Sequence, residues 1–168
     1  GLPVGQFLAA NNANDVVYEY LNTGVYKPRK SVETIANAMD VGDPSNFARI
    51  LDLYDHSYQR ISEVLSGYHY TDKQIKATIK KVFKGTGYLC DPHGACGYQA
   101  IEDHIKDGQT GLFLETAHPA KFIDTVESVI GKDILHIPGR LKAFMQGEKK
   151  SIPIANEYEE FRDFLFNT

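Results

Sequence analysis

Short apolar runs alternate along the chain with stretches in which apolar residues recur at helical spacing, each opened by a readable start signal. Gln6 to Ala10 predicts a strand. The polar cluster Asn11-Asn12-Ala13-Asn14-Asp15 then supplies N-cap candidates for a helix through Val16, Val17, Tyr20 and Leu21, which Asn22-Thr23-Gly24 ends. Beyond the basic turn around Pro28, Ser31 can cap a helix carrying Ile35, Ala36 and Met39, closed by Gly42. Asp43-Pro44 opens a long helical region with Phe47, Ile50, Leu51 and Tyr54 at helical spacing, running on to Leu65. Thr71 and Gln74 fit a capping box ahead of the stripe Ile75, Ile79, Val82 and Phe83, and Gly85 and Gly87 stop that helix.

Tyr88-Leu89-Cys90 predicts a second strand, after which Asp91-Pro92 restarts a helix towards Ile105. Gly111 to Thr116 predicts a third strand, and Pro119 begins a helix with Phe122, Val126 and Ile130 that stops at Gly131. From Ile134 to Pro153 the pattern is irregular apart from a short helix over Leu141 to Met145, and Asn156 caps a final amphipathic helix bearing Tyr158, Phe161 and Leu165. No repeat or low-complexity segment interrupts this order. Three strand-then-helix units define an α/β class. Three strands are few for a parallel sheet covered on both faces, so further strands are expected upstream. The start of the chain agrees with that expectation: Gly1-Leu2-Pro3-Val4-Gly5 has no initiator Met and leads straight into an apolar run, as if cut from something longer.

Size and charge narrow the partners. The 168 residues, 42% hydrophobic, suffice for the core of one domain or a piece of one. A formal charge of -4 argues against nucleic acid and anionic membrane and leaves a small molecule as the expected partner. No apolar run approaches the ~20 residues that span a bilayer, and no signal peptide is visible, so a soluble, cytoplasmic protein is expected. Cys90 and Cys96, at C-x5-C spacing, fit neither a disulfide framework nor a common zinc site.

In open α/β sheets ligands lie beyond the carboxyl ends of the strands, which directs attention to the residues following each one. These are Asn11, Asn12, Asn14 and Asp15 after the first, Asp91 and His93 after the second, and Thr116 and His118 after the third. Three loops can thus converge on one site. Each group also has a plainer reading: the asparagines as a helix cap, Asp91 as the cap ahead of Pro92, and Thr116 as a cap for the Pro119 helix. His93 between two cysteines lacks the further ligands a zinc ion needs, so no metal is expected. Glu157, Glu159 and Glu160 read as the solvated face of the last helix, and Lys149-Lys150 as an exposed turn. Neither G-x-G-x-x-G nor G-x-x-x-x-G-K-[ST] occurs, so the chain carries neither familiar phosphate cradle.

Several stretches resemble threonine synthases of the bacterial and fungal type. They are Ala9 to Asp15, Ser31 to Asn46 with its core Asn37-Ala38-Met39-Asp40-Val41-Gly42-Asp43-Pro44-Ser45-Asn46, Asp91-Pro92-His93-Gly94-Ala95, and Thr116-Ala117-His118-Pro119-Ala120-Lys121-Phe122. They keep the family's order and approximate spacing across nearly the whole chain. The resemblance implies a partial three-layer αβα parallel sheet from a fold-type II enzyme that uses pyridoxal 5'-phosphate, with residues 1–168 its C-terminal part and 132–168 an irregular, helical extension. It further implies a carbon-oxygen lyase that converts O-phosphohomoserine and water to threonine and phosphate. Thr116 takes the position that hydrogen-bonds the cofactor's pyridine nitrogen, while Asn11, Asn12, Asn14, Asp91, His93 and His118 are expected to line the same cavity.

The family's Schiff-base lysine and its Gly-containing phosphate loop have no counterpart in residues 1–168, so no catalytic residue is assigned, the upstream portion is an expected partner, and the segment alone is expected to be inactive. Two other readings remain open. One is a related lyase of the serine or threonine dehydratase kind, and the other is a free-standing, non-enzymatic α/β binding domain.

Overall fold

A computed structural model describes residues 3–167. Its sheet has two strands, β1 (Phe7–Asn11) and β2 (Leu65–His69), paired in parallel with Phe7 opposite Leu65 and Asn11 opposite His69. The crossover between them contains α1 (Val16–Thr23), α2 (Phe47–Leu53) and α3 (Tyr58–Val64). After β2 come α4 (Asp72–Thr86), α5 (Pro92–His104) and α6 (Ile123–Ile130). His136 ends this compact unit, and a second one from Ile137 contains α7 (Gly139–Met145) and α8 (Tyr158–Asn167).

Alternation along β1 sends its side chains into two cores. Leu8 and Ala10 pack against the cluster of Tyr70, Ile75, Ile79, Val82, Cys90, Ala95, Cys96 and Ala100, formed largely by α4 and α5. Ala9 packs against Tyr20, Leu21, Phe47 and Ile61 on the opposite face. Helices therefore cover both faces of a short parallel sheet, a partial three-layer αβα arrangement. Helix α4 forms where the apolar stripe and capping box require it: the Thr71 side chain accepts from Gln74 N–H and the Gln74 side chain accepts from Thr71 N–H at 3.0 Å.

Several expected elements differ. β1 reaches Asn11, one residue past the expected end. β2 was not expected at all, because Leu65-Ser66-Gly67-Tyr68-His69 carries almost no apolar alternation and follows directly on a helix. Gly67 is its structural signature: a Cβ there would stand 3.1 Å from Tyr18 Cα, so glycine lets α1 lie close against the sheet. The long helical region is broken at Asp55 and His56, both with positive φ (52° and 57°), into α2 and α3. Only a 3-10 turn, Asn37–Met39, forms where Ser31 was expected to start a helix. There, side-chain oxygens compete for the backbone: Val32 N–H donates to Asn14, Thr34 N–H to Asp40 and Ala36 N–H to Thr34. The final helix starts at Tyr158 rather than directly after Asn156.

Neither Tyr88–Cys90 nor Gly111–Thr116 joins the sheet, since neither has a ladder partner among the described residues. Gly111–Thr116 nonetheless keeps a strand's two-residue period. Phe113 and Glu115 are partly covered, while Leu112, Leu114 and Thr116 are exposed. In the second unit α8 has no buried residue, and Arg162 pairs with Glu159 and Asp163 along its surface.

Both cysteines are buried and free, and burial pushes each thiol up to about 12. They pack as small apolar side chains. The folded chain is expected to leave both unreacted with a disulfide reagent at pH 7, whereas unfolding in denaturant releases the two thiols together. Stoichiometric labelling of the native chain would contradict this packing.

Candidate functional site

The asparagine cluster after β1 is tied to the loop that follows α1. Asn12 Nδ2 donates to Thr34 Oγ1 and to Asp40 Oδ1, both at 3.0 Å. Asn14 Nδ2 donates to Asp40 Oδ1 at 3.0 Å and to the Val32 carbonyl at 2.9 Å, and Asn14 Oδ1 accepts from Val32 N–H at 2.8 Å. Thr34 adds its hydroxyl to Asp40 Oδ1 at 2.7 Å and its N–H to Asp40 Oδ2 at 2.9 Å. Asn12, Asn14 and Thr34 are buried, so these bonds replace the water the groups lose. Asn11 turns back instead, its amide donating to the Ala9 and Tyr68 carbonyls at 2.9 Å each, which pins the end of β1 to β2.

Asp40 then faces the second group. His93, in the first turn of α5, feels the charges of Asp40, Asp91 and Lys121, and its ring meets Phe122 edge-on at 5.3 Å. Burial holds its pKa below the ordinary histidine value even though both aspartates pull the other way, so the ring is neutral at pH 7. Its Nε2 is buried without a hydrogen-bond partner among the described residues. Asp91 is the N-cap of α5, its Oδ1 accepting from His93 N–H at 2.7 Å and Gly94 N–H at 3.4 Å. The plainer reading of Asp91 is thus satisfied, and the aspartate is also wholly buried, at 0% exposure.

The third group reaches α5 from the other side. Glu115 Oε1 accepts from Asp91 N–H at 2.8 Å, and burial, ahead of the nearby Asp91, pushes its pKa up to about 7. Thr116, next in the chain, is exposed and has no hydrogen-bond partner among the described residues. His118 Nδ1 accepts from Ala120 N–H at 3.1 Å and so caps the 3-10 turn Pro119–Phe122. Because that nitrogen accepts, a neutral His118 ring carries its proton on Nε2.

The second and third groups therefore meet directly, His93 touching Phe122 and Asp91 bonded by Glu115, while Asn12 and Asn14 hold Asp40, whose charge acts on His93. Asn11 and His118 flank this chain of contacts. Asp15 stands apart, its carboxylate bonded to Arg29 and, at 2.8 Å, to His69 Nδ1 at the end of β2. Among the described residues no cluster of histidine, cysteine and carboxylates is arranged to hold a metal ion.

Comparison with known proteins shows which family the chain resembles. The family profile described as "Threonine synthase, C-terminal" matches residues 94–165. The threonine synthase of Haemophilus influenzae is 38% identical over 168 residues, covering 100% of this chain and 39% of that protein. The chain belongs to the threonine synthase family, as part of its C-terminal portion. The crystal structure of threonine synthase from Escherichia coli superposes with a TM-score of 0.84 at 34% identity, over 99% of this chain and 38% of that one. A pyridoxal-phosphate-bound threonine synthase from Brucella melitensis gives a TM-score of 0.80 at 26% identity, over 99% and 41%. The chain spans about two fifths of the length of these threonine synthases, 39% in the Haemophilus relative. No helix among the described residues is long and apolar enough to cross a membrane.

Asp40 and Glu115 join the site without having been singled out beforehand. Both lie in segments already read as a family motif or a strand, but their partners are 24 to 28 residues away and no local spacing reveals them. Truncation at the network's centre is expected to be costly. Asn14→Ala leaves Val32 N–H without its acceptor and removes a donor from Asp40, at roughly 1–3 kcal/mol for each buried group left unpaired. Urea unfolding of the variant beside the parent measures the loss, and an unchanged midpoint would show the network to be dispensable.

Proposed function

We propose that this segment forms one wall of the pyridoxal 5'-phosphate site of a threonine synthase, an enzyme converting O-phosphohomoserine and water to threonine and phosphate in the cytoplasm. The observation that carries this reading is Thr116: an exposed hydroxyl with no partner among the described residues, at the end of a strand-like run anchored to the N-terminus of a buried helix. A neutral hydroxyl suits a pyridine nitrogen, because unlike a carboxylate it does not hold the ring nitrogen protonated. The buried His93 Nε2, without a partner among the described residues, offers a second polar group with hydrogen-bonding capacity to spare. The cofactor, when bound, supplies the electron sink for the chemistry.

The residues here fit the ring end of the cofactor and not its phosphate. Asp40, Asp91 and Glu115 bring acidic groups together, and Lys121 is the cation that acts on His93 among them. A phosphate dianion needs backbone N–H groups or cations from elsewhere, which agrees with a wall rather than a whole site. In this reading Thr116 orients the ring, His93 and His118 line the cavity as hydrogen-bonding groups, and Asp91 with the asparagines Asn11, Asn12 and Asn14 sets the loops that hold them. The reacting groups belong to the upstream portion, so the segment forms its site with that portion as partner. Residues 1–168 then form the C-terminal part of the catalytic domain, with 132–168 as its helical extension.

The chain by itself is expected to make no threonine from O-phosphohomoserine, while the full-length protein does and deaminates threonine poorly. Thr116→Val in the full-length protein is expected to lower kcat roughly tenfold, the worth of one hydrogen bond gained in the transition state. Efficient deamination without phosphate release would instead identify a dehydratase-like lyase. Threonine formation by the isolated chain would overturn the assignment of a partial site.

A further inference from the structure

Glu115 and Asp91 place two carboxyl groups at one helix N-terminus, with no cation among the described residues paired to either. Each has one oxygen committed: Asp91 Oδ1 accepts two backbone N–H groups of α5, and Glu115 Oε1 accepts the N–H of Asp91 itself. Each also has one oxygen left over. Among the described residues Asp91 Oδ2 and Glu115 Oε2 are both buried without a partner, although the two side chains stand within hydrogen-bonding reach of each other. Two ionised carboxylates in that position would repel at close range and strand two buried acceptors. One proton removes both costs, because a protonated Oε2 donates to Oδ2.

We propose that Glu115 is a positioning residue: its carboxyl, held neutral and sharing one proton with Asp91, fastens the run 111–118 to the N-terminus of α5 and thereby fixes where Thr116 stands. The proton resides on Glu115, since Asp91 is committed to two N–H groups at a helix N-terminus, where a negative charge is favoured. The site is shaped for this carboxyl. A Cβ at position 94 would lie 1.5 Å from Glu115 Oε2, so Gly94 leaves the space that the group fills.

Two residues upstream the same face of the run is gripped again. Phe113 meets Tyr98 edge-on at 5.9 Å, and a Cβ at Gly97 would stand 3.3 Å from the Phe113 side chain. With Phe113 and Glu115 turned to α5, the two-residue period turns Thr116 to the opposite, open face, and a slip of one residue would bury it.

The titratable groups facing the pair do not supply a counter-charge. Cys90 and Tyr88, from the segment before α5, feel Glu115 and are themselves raised by burial. His93 is neutral, and beyond it Asp40 and the exposed Lys121 act on His93 rather than on Glu115. The carboxyl of Glu115 accordingly sits raised from 4.5 to about 7, chiefly by burial. A folded-state value above the unfolded one means the contribution is fully present below about 4.5 and is lost as pH rises through about 7.

The inference rests on the cofactor reading only for what Thr116 does, so the test separates the two. In the full-length protein, unfolding of the wild type between pH 4.5 and 7 is expected to release about one proton that Glu115→Gln does not release. Glu115→Gln keeps a donor for Asp91 Oδ2 and an acceptor for Asp91 N–H, and is neutral at every pH. The wild type is also expected to show the infrared band of a protonated carboxyl group below pH 7, absent in Glu115→Gln. Gly94→Ala, which at an ordinary helical position would stabilise, is expected to destabilise and to abolish the same proton release.

If Glu115→Gln does not fold, the wild-type proton count and band decide alone. Parallel pH–stability curves for wild type and Glu115→Gln, or no protonated-carboxyl band in the wild type, overturn the proposal. If Thr116→Val leaves the spectrum of the bound cofactor unchanged while Glu115→Gln still abolishes the proton release, the ring-nitrogen reading fails and the carboxyl pair stands.

Discussion

Much of this segment depends on one polar constraint at the carboxyl end of β1, where Asn12 and Asn14 must find partners in a place water does not reach. They find them in Asp40 and in the backbone around Val32, and so convert a long crossover into a fixed surface. The cost of leaving such groups unpaired makes the arrangement nearly compulsory once β1 is buried between two apolar clusters. Its effect extends further, because Asp40 is one of the charges that face His93. The wall proposed for the site would begin as a solution to burial.

The helices of the first unit were the most legible part of the fold, since their signals are local. Thr71 and Gln74 mark the start of α4, Asp91-Pro92 that of α5, and Gly131 the end of α6. Residues 31–42 misled for the opposite reason. Ile35, Ala36 and Met39 have helical spacing, but the groups that win the backbone N–H donors are Asn14 and Asp40, outside the window that spacing can examine. β2 escaped notice because a glycine and a serine occupy a strand whose packing needs closeness rather than bulk.

The site shows the same division. Position after an expected strand pointed to Asn12, Asn14, Asp91, His93, Thr116 and His118; the segments carrying Asp91 and His93 and carrying Glu115 to Phe122 touch, and the asparagines hold Asp40, whose charge acts on His93. What position alone left open was the division of labour. The asparagines are saturated by hydrogen bonds, Asp91 caps a helix, and His118 caps a 3-10 turn, whereas the Thr116 hydroxyl and His93 Nε2 have no partner among the described residues. A residue's freedom to bind something else is a property of its neighbours in space, and Glu115, joined to Asp91 across 24 residues, could be recognised only there.

The run from Gly111 to His118 combines the two kinds of information. Its alternation is strong enough to read as a strand, and the structure preserves that alternation without any ladder partner among the described residues. Backbone pairing is what usually holds such a run straight and in register. Here the grip comes from one side only, through Phe113 on α5 and Glu115 on the α5 N-terminus, leaving Leu112 at 86% and Leu114 at 76% exposure on the other. Those leucines flank Thr116 on the same open face, so the surface that carries the unengaged hydroxyl is also the most apolar part of the run. An apolar face that presents a single unpaired polar group has the composition of a small-molecule site, in which burial supplies affinity and the lone hydrogen bond supplies orientation.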